Sequence, residues 1–243
     1  MTLPFGPLDA VLLDAGGVLL LPDPDAIREA LAPFGVPCPD DDTCHRNHYR
    51  LMREVDARMH GIDGFDEPDW SGLDRTMVGY FGVAKGDEEA ARLKLRDAYL
   101  EMPWVAAPGA VEALLALEGA GVPLAVVSNA SGDMEEQLLN REICSVDSAH
   151  VKVAIVVDSQ VVGVSKPDPR IFQFALDALG VPAERCLYVG DTVHFDVKGA
   201  RNAGLHPVHV NPQGLCPHDD HPHVGALADV PGLLGLSNGR RPG

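Results

Sequence analysis

The sequence predicts an α/β fold, a parallel sheet with helices on both faces, interrupted by one helical insert. Three observations predict it. From about residue 105 onward, short apolar runs alternate with amphipathic helical stretches, the pattern of a parallel sheet crossed by helices. An apolar run near the N-terminus, "VLLDAGGVLL", supplies one more strand far upstream. Between the two, the chain has helical periodicity and breakers with no convincing strand. The expected division is therefore a core of residues 1–20 and 105–243, with an inserted helical domain of residues 21–104.

Each element follows from local pattern. The first strand ends at Asp14, which leaves an apolar run into a turn carrying Gly16 and Gly17. The insert holds the helical runs "DAIREALAPF", "DTCHRNHYRLMREVDARMH" and "DEEAARLKLRDAYLEM", separated by Pro37, Pro39, Gly61, Gly64 and Pro68. In "PGAVEALLALEGAGVPLAVVSN", Val111, Leu114, Leu115 and Leu117 fall at helical spacing, Gly119 and Gly121 close the helix, and residues 124–127 form a buried strand. The cycle repeats in "DPRIFQFALDALGVPAERCLYVGD": Ile171, Phe174, Ala175, Ala178 and Leu179 share a face, Gly180 stops the helix, and residues 186–189 are the strand. After "DVKGARNAGL" comes a last short strand, "PVHV". Hinge motion is expected near residues 21–23 and 103–108, where insert meets core.

Bulk properties narrow the partners. The formal charge of −17 excludes nucleic acid and anionic membrane surfaces, which require a basic stripe. A small phosphorylated metabolite remains compatible, because one Lys, helix N-termini and a divalent cation outweigh a diffuse field beyond the Debye length of about 8 Å. Five scattered cysteines without a CxxC pair read as reduced thiols. No apolar run approaches the roughly 18 residues of a membrane span, and no basic leader precedes an apolar stretch, so a cytoplasmic protein is expected.

In an open parallel sheet, ligands bind outside the carboxyl ends of the strands. Asp14 follows "VLL", Ser128 follows "LAVV" and Asp191 follows "LYVG", while Lys166 sits in "VSKPDP". An aspartate can attack phosphorus and split one hard hydrolysis into two easier displacements. The charge on the transferring group then needs cationic and hydrogen-bonding partners: Lys166 to neutralise it and Ser128 to donate to a phosphate oxygen. Two facing carboxylates, Asp14 and Asp191, demand a cation, and hard oxygen ligands suit Mg²⁺.

These pieces resemble the motifs of the haloacid dehalogenase (HAD) superfamily of Rossmann-like hydrolases: "LLDAGGVLL" the first, "VVSN" the second, "SKPDPRIF" the third and "YVGDTVHFDVKGARNAG" the fourth. The order and spacing of all four carry the resemblance, and the insert is similar to the family's small helical cap. The resemblance implies Asp14 as nucleophile, Ser128 and the backbone of Asn129 as phosphate binders, Lys166 as the phosphate-site lysine and Asp191 as a metal ligand. Gly16 would lend the metal its main-chain carbonyl, and Asp196 would support the site from behind.

The sequence departs from the family pattern at one telling position. The family's phosphatases place a second Asp two residues after the nucleophile as general acid and base; here Gly16 stands there, with Val18 where threonine is common. Three readings follow: a phosphatase for an ester whose leaving group needs little protonation, or one whose proton comes from water or from His45, His48 or Glu54 of the insert; a weak relative that binds phosphate without useful turnover; or a dehalogenase, whose halide leaves unprotonated. Asp191 argues against the last, since those relatives do without the metal. His194 is expected either to form a wall of the site or to lie at the surface, with action as the acid a further alternative, and Asp196 is equally able to cap the following helix. In "CPHDDHPHV", the spacing of Cys216, His218, His221 and His223 fits no common structural-zinc pattern and reads as an exposed loop. Trp70 and Trp104 are expected to pack.

Overall fold

The computed structural model describes residues 7–61, 68–101, 104–147 and 149–236. Strands are β1 (Ala10–Leu13), β2 (Leu20–Pro22), β3 (Trp104–Ala106), β4 (Leu124–Ser128), β5 (Cys144–Ser145), β6 (Val151–Lys152), β7 (Val156–Asp158), β8 (Cys186–Gly190), β9 (His206–Val210) and β10 (His223–Val224). Helices are α1 (Pro24–Leu31), α2 (Asp41–Met59), α3 (Trp70–Tyr80), α4 (Glu88–Glu101), α5 (Ala110–Gly119), α6 (Met134–Asn140), α7 (Ser159–Val162), α8 (Arg170–Leu179), α9 (Lys198–Asn202) and α10 (Val230–Leu233). The breaker Gly64 and hinge residue 103 lie outside the described residues.

Six strands form one sheet in the order β10-β9-β8-β1-β4-β7, and every described pairing in it is parallel. The reason is visible in the period-two burial of β1. Val11 and Leu13 enter one apolar cluster with α5, whereas Ala10 and Leu12 enter another with α8. A strand buried on both faces has no polar alternation to offer water, so helices must cover both sides. Leu12 and Leu13 are fully buried, each contributing about 2 kcal/mol by area.

Between residues 24 and 101 every described regular element is a helix, and their side chains build a third apolar cluster of their own around Ile27, Leu31, Leu51, Val55, Leu73 and Met77. Helix α2 starts where Asp40 accepts a 2.8 Å hydrogen bond from the Thr43 amide, with Asp41 and Asp42 in the first turn favouring its positive end. The expectation of no strand in this region is corrected at its borders. Leu20, Leu21 and Pro22 pair antiparallel with Ala106, Val105 and Trp104, so the two crossings between sheet and helices run as one ribbon.

Two predicted helix faces shift phase. Leu115 is 52 % exposed and Phe174 41 % exposed, while Ala113, Phe172 and Leu176 are buried in their stead. Strand β7, unrecognised in the sequence, closes one edge of the sheet, and β10 the other. Trp70, expected to pack, is 41 % exposed. All five cysteines are free thiols. Among the described residues no helix is long and apolar enough to cross a membrane.

Candidate active site

Register places the polar residues at one edge. Leu13 is level with Val189 of β8 and Val126 of β4, so Asp14, Asp191 and Ser128 all emerge within two residues of each other's level at the carboxyl ends of three adjacent strands. The Asp14 amide still donates to the Val189 carbonyl at 2.8 Å, which anchors the residue as its side chain leaves the sheet. Its Oδ1 accepts from the Ala15 amide at 2.7 Å and its Oδ2 meets Lys166 Nζ at 2.8 Å.

Lys166 is 2 % exposed and spends its ammonium on protein partners: Asp14, Asp196 Oδ1 at 2.7 Å and the Tyr188 hydroxyl at 2.9 Å. Burial opposes its charge, but the two carboxylates outweigh burial and raise the ammonium above its ordinary range. Asp196 is likewise buried, yet Lys166 and the Thr192 donors hold its carboxyl below the usual range. Its Oδ2 accepts from the amides of Asp191 and Thr192 and from the Thr192 hydroxyl at 2.6 Å, so it braces the loop of Asp191 rather than capping the following helix. That approach needs Gly190, where a Cβ would lie 2.3 Å from the Asp196 Cβ.

Asp14 and Asp191 are the carboxylates left under-neutralised. Burial pushes Asp14 up to about 7; Lys166 lowers it, and the carboxylates of Asp196 and Asp191 raise it again. Burial and the Asp196 charge raise Asp191 well above the ordinary carboxyl range. Its Oδ2 is buried without a hydrogen-bond partner. Carboxylate oxygens of Asp14, Asp191 and Asp196 lie within 4.8 Å of one another. Since both oxygens of Asp196 are already bonded, Asp14 and Asp191 are the pair with ligand capacity, and such hard, crowded oxygens fit Mg²⁺.

Gly17 shapes this cradle. Its φ is +69° and a Cβ would fall 1.9 Å from Asp191 Oδ2. Gly17→Ala is therefore expected to displace the Asp191 carboxylate, to weaken by about 10- to 100-fold the binding of a Mg²⁺ ion offered to the Asp14–Asp191 pair and to lower stability by about 1–3 kcal/mol. Calorimetric Mg²⁺ titration and urea unfolding read the two effects.

The remaining predicted residues divide. Ser128 is 4 % exposed at the end of β4, and its hydroxyl has no protein partner among the described residues. Asn129 faces the other way in function: its amide group donates to the Lys166 carbonyl at 3.1 Å and accepts from the Lys166 amide at 2.7 Å, so the side chain positions the lysine loop. Gly16 has an ordinary backbone, and a Cβ there would meet only Trp104, at 3.8 Å. On α2, His48 is 3 % exposed, with Nε2 3.7 Å from Asp191 Oδ2 and both ring nitrogens lacking a hydrogen-bond partner. It stands edge-on to Trp104 at 5.7 Å between ring centroids. His45 sits beside Pro22 of the ribbon, and the charge of Glu54 acts on Tyr80, so neither joins the carboxylates. The His194 amide is held by Asp56, and its ring, 6 % exposed, packs edge-on against Phe195.

Sequence reasoning missed four contributors. Tyr188 donates to Asp196 or to the Val127 carbonyl while accepting from Lys166; a tyrosine inside an aliphatic strand was the available signal. Asp56 of α2 accepts from the amides of Val193 and His194 at 2.9 Å, tying helix to core. Its signal was a carboxylate beside the apolar stripe of Leu51, Val55 and Met59. Tyr49 donates to the Gly17 carbonyl at 2.8 Å from the same helix. His209 donates from Nε2 to the Asp191 carbonyl at 3.0 Å. The loop of Cys216–His223, expected to be exposed, also differs: His218 is exposed, but His221 is 6 % exposed and gathers with Cys216, His223 and His209.

Relatives carry the same arrangement of chain. Residues 8–204 match the family model described as haloacid dehalogenase-like hydrolase. The chain is 38 % identical over 114 residues to the phosphoserine phosphatase of Thermus thermophilus, covering 45 % of this chain and 43 % of that one. It is 33 % identical over 135 residues to (S)-2-haloacid dehalogenase 4A of Burkholderia cepacia, covering 54 % and 53 %. The matches thus span about half the length of these curated relatives. In fold, the HAD-hydrolase YfnB of Bacillus subtilis superposes with a TM-score of 0.62 at 18 % identity, covering 95 % of this chain and 100 % of that one. The family match over most of the core, on a sheet with this strand order and these carboxylates at its edge, places the chain in the haloacid dehalogenase-like hydrolase family.

Proposed function

We propose that the chain is a Mg²⁺-dependent hydrolase of small phosphomonoesters that works through an aspartyl-phosphate on Asp14. The carrying observation is the pairing of Asp14 Oδ2 with Lys166 Nζ at 2.8 Å beside an Asp191 oxygen that no protein group satisfies. Asp14 and Asp191, with the main-chain carbonyl of Gly16, would hold Mg²⁺, which when bound supplies counter-charge to the phosphoryl oxygens and to the nucleophile. Such a cation has no role in displacing halide, which disfavours the haloacid reading that the Burkholderia relative otherwise invites.

In the first displacement the Asp14 oxygen forms a bond to phosphorus as the ester oxygen departs. Lys166 and the unpartnered Ser128 hydroxyl are the groups able to stabilise the charge on the phosphoryl oxygens. Asn129 keeps Lys166 in place. In the second displacement water attacks phosphorus, releasing inorganic phosphate and the Asp14 carboxylate. We assign that water's proton to His48, which stands 3.7 Å from Asp191 with both ring nitrogens unpartnered; burial holds its imidazole down at about 4, so it is neutral at pH 7 and a weak base. A neutral imidazole is a poor acid for the first step, and the departing oxygen must take its proton from solvent. The favoured substrates are then esters with weakly basic leaving groups. Because Asp14, Asp191 and Lys166 are all buried, substrate entry requires α2 to swing out on the β2–β3 ribbon, and its return excludes water from the phosphoryl group.

Turnover of an aryl phosphate with and without Mg²⁺ tests the reading. Hydrolysis that needs Mg²⁺, and no halide release from an (S)-2-haloacid, is the expected result. A folded, Mg²⁺-binding protein inert towards aryl phosphates would indicate a phosphate-binding relative instead. Two variants probe the proton. Gly16→Asp, whose Cβ the local space admits, is expected to raise alkyl-phosphate hydrolysis by about 10²-fold with a smaller gain on aryl esters. His48→Ala is expected to lower kcat by about 10²-fold and to let acid-stable phosphoryl-enzyme accumulate, because the second displacement slows. An unchanged burst in His48→Ala would remove the histidine from the mechanism.

A further inference from the structure

The geometry points to a second metal site, a Zn²⁺ centre of His209, Cys216, His221 and His223 that lies behind the carboxylate edge and closes the loop between β9 and β10. Ligand atoms of these residues all lie within 4.8 Å of one another. His221 Nε2 is 3.1 Å from His209 Nδ1, 3.0 Å from His223 Nε2 and 3.7 Å from Cys216 Sγ. A tetrahedral Zn²⁺ with Zn–N of about 2.05 Å and Zn–S of about 2.3 Å needs N···N edges near 3.3 Å and N···S edges near 3.6 Å. The spacings match that polyhedron.

Hydrogen bonding to the far ring nitrogens decides what the near ones can do. His221 Nδ1 lies 2.7 Å from Asp220 Oδ1, and the same carboxylate pairs with the Arg201 guanidinium at 2.7 Å, so it stands as an acceptor to both. His221 Nδ1 therefore carries the proton and Nε2 a lone pair. His209 Nε2 lies 3.0 Å from the Asp191 carbonyl oxygen, which also only accepts, leaving the lone pair on Nδ1. Two neutral imidazoles thus point lone pairs at each other at 3.1 Å, with a third imidazole nitrogen and a thiol beside them. No hydrogen bond satisfies such a pair, whereas one cation satisfies every member. A metal-binding histidine commonly donates its other ring N–H to a carboxylate or main-chain carbonyl, and both bonds are present here.

The backbone supports the same assignment. His209 and His223 are directly paired across β9 and β10. Asn211 Oδ1 accepts from the amides of Leu215 and Cys216, turning the loop so that Cys216 faces the strands. Zn²⁺ binding forms four coordinate bonds and releases the Cys216 thiol proton to solvent. The closed ligand set of Cys and three His suits a structural ion, distinct in chemistry from the oxygen-rich pair Asp14 and Asp191. It would fix the loop whose Leu215 carbonyl receives Arg53 Nε from α2 at 3.2 Å. The assignment is independent of the phosphatase reading.

The test uses the full chain freed of any affinity tag and purified without chelator. Elemental analysis after dialysis into Mg²⁺ buffer is expected to find about one zinc per chain, and replacement by Co²⁺ to give tetrahedral visible bands with a thiolate-to-cobalt charge-transfer band. Cys216→Ser and His221→Gln are each expected to weaken Zn²⁺ binding at least about 10²-fold against a chromophoric chelator, with the charge-transfer band lost in Cys216→Ser. Asp14→Asn is expected to keep its zinc. Wild-type protein that neither retains zinc nor takes up Co²⁺ with that band overturns the site, as does zinc that survives in both loop variants or disappears in Asp14→Asn.

Discussion

Asp14→Asn is expected to abolish turnover, by at least about 10⁴-fold in kcat, while leaving the fold intact. The amide cannot attack phosphorus, and no other carboxylate can take its place: Asp196 is bonded through both oxygens, and Asp191 is not one of the two carboxylates that Lys166 pairs with. Acid-quenched protein should carry no phosphoryl group. The stability outcome separates this from a folding defect. The folded-state pKa of Asp14 is raised from its ordinary value to about 7, so between about pH 4 and 7 the native state holds a proton that the unfolded chain has lost. Metal-free wild type must then lose stability as pH rises through that window. Asp14→Asn has no such proton to hold, and its melting temperature should be flatter with pH and no lower than that of wild type at pH 7 without Mg²⁺. Residual turnover above about 1 % would rule out the covalent route.

Lys166→Met should damage both activity and stability. The ammonium is the one cation in contact with Asp14 and Asp196 among the described residues, and removal leaves two buried carboxylates without counter-charge. Losing one member of such a group costs about 3–5 kcal/mol, and losing the charge that faces the transferring phosphoryl lowers kcat/KM by at least about 10³-fold. The pH dependence reverses in sign for one partner. In wild type, Lys166 holds Asp196 below its ordinary range, so this pair contributes stability above about pH 4 that is lost only as pH falls towards the lowered value. Without the lysine, burial raises Asp196, and the variant should be most stable near pH 4 and weaken as pH rises. Urea unfolding between pH 4 and 8 reads that slope directly; a variant that gains stability with pH would show that Asp196 draws its charge balance elsewhere.

These two residues work within a clasp that α2 makes over the sheet edge. Tyr49 reaches the Gly17 carbonyl, Asp56 the amides of Val193 and His194, and Arg53 the Leu215 carbonyl. One helix face thus touches the turn after β1, the loop after β8 and the loop after β9. Burial raises the Asp56 carboxyl to about 7, although two amides oppose the shift. The same helix delivers His48 to within 3.7 Å of Asp191.

Much of the candidate site's edge was legible because strand-ending polar residues interrupt apolar runs. Asp14, Ser128 and Asp191 each follow aliphatic stretches, and a parallel sheet must bring such ends to one side. Helix phase was less legible. With aromatic residues at 172 and 174, the periodicity in α8 admits two faces, and only packing against β4 selects Phe172. Asp56 and Tyr188 escaped notice because a polar residue inside an apolar pattern reads as a defect until its partners are known. His209 was hidden inside a strand, and the loop from Cys216 to His223 had no spacing of its own that called for a metal.

By itself the sequence determined the parallel α/β core, the helical run set into it, and which polar residues, Asp14, Ser128 and Asp191, would meet at one edge of the sheet, since these follow from periodicity and from residue chemistry at strand ends. Tertiary structure alone decided which of three helical candidates, His48 rather than His45 or Glu54, reaches the carboxylates, and that His209 joins three residues of a distant loop. The physical reason is that periodicity encodes which face of an element is apolar, whereas contact between elements depends on their rotation and register, and a shift of one residue turns a ligand into a surface side chain.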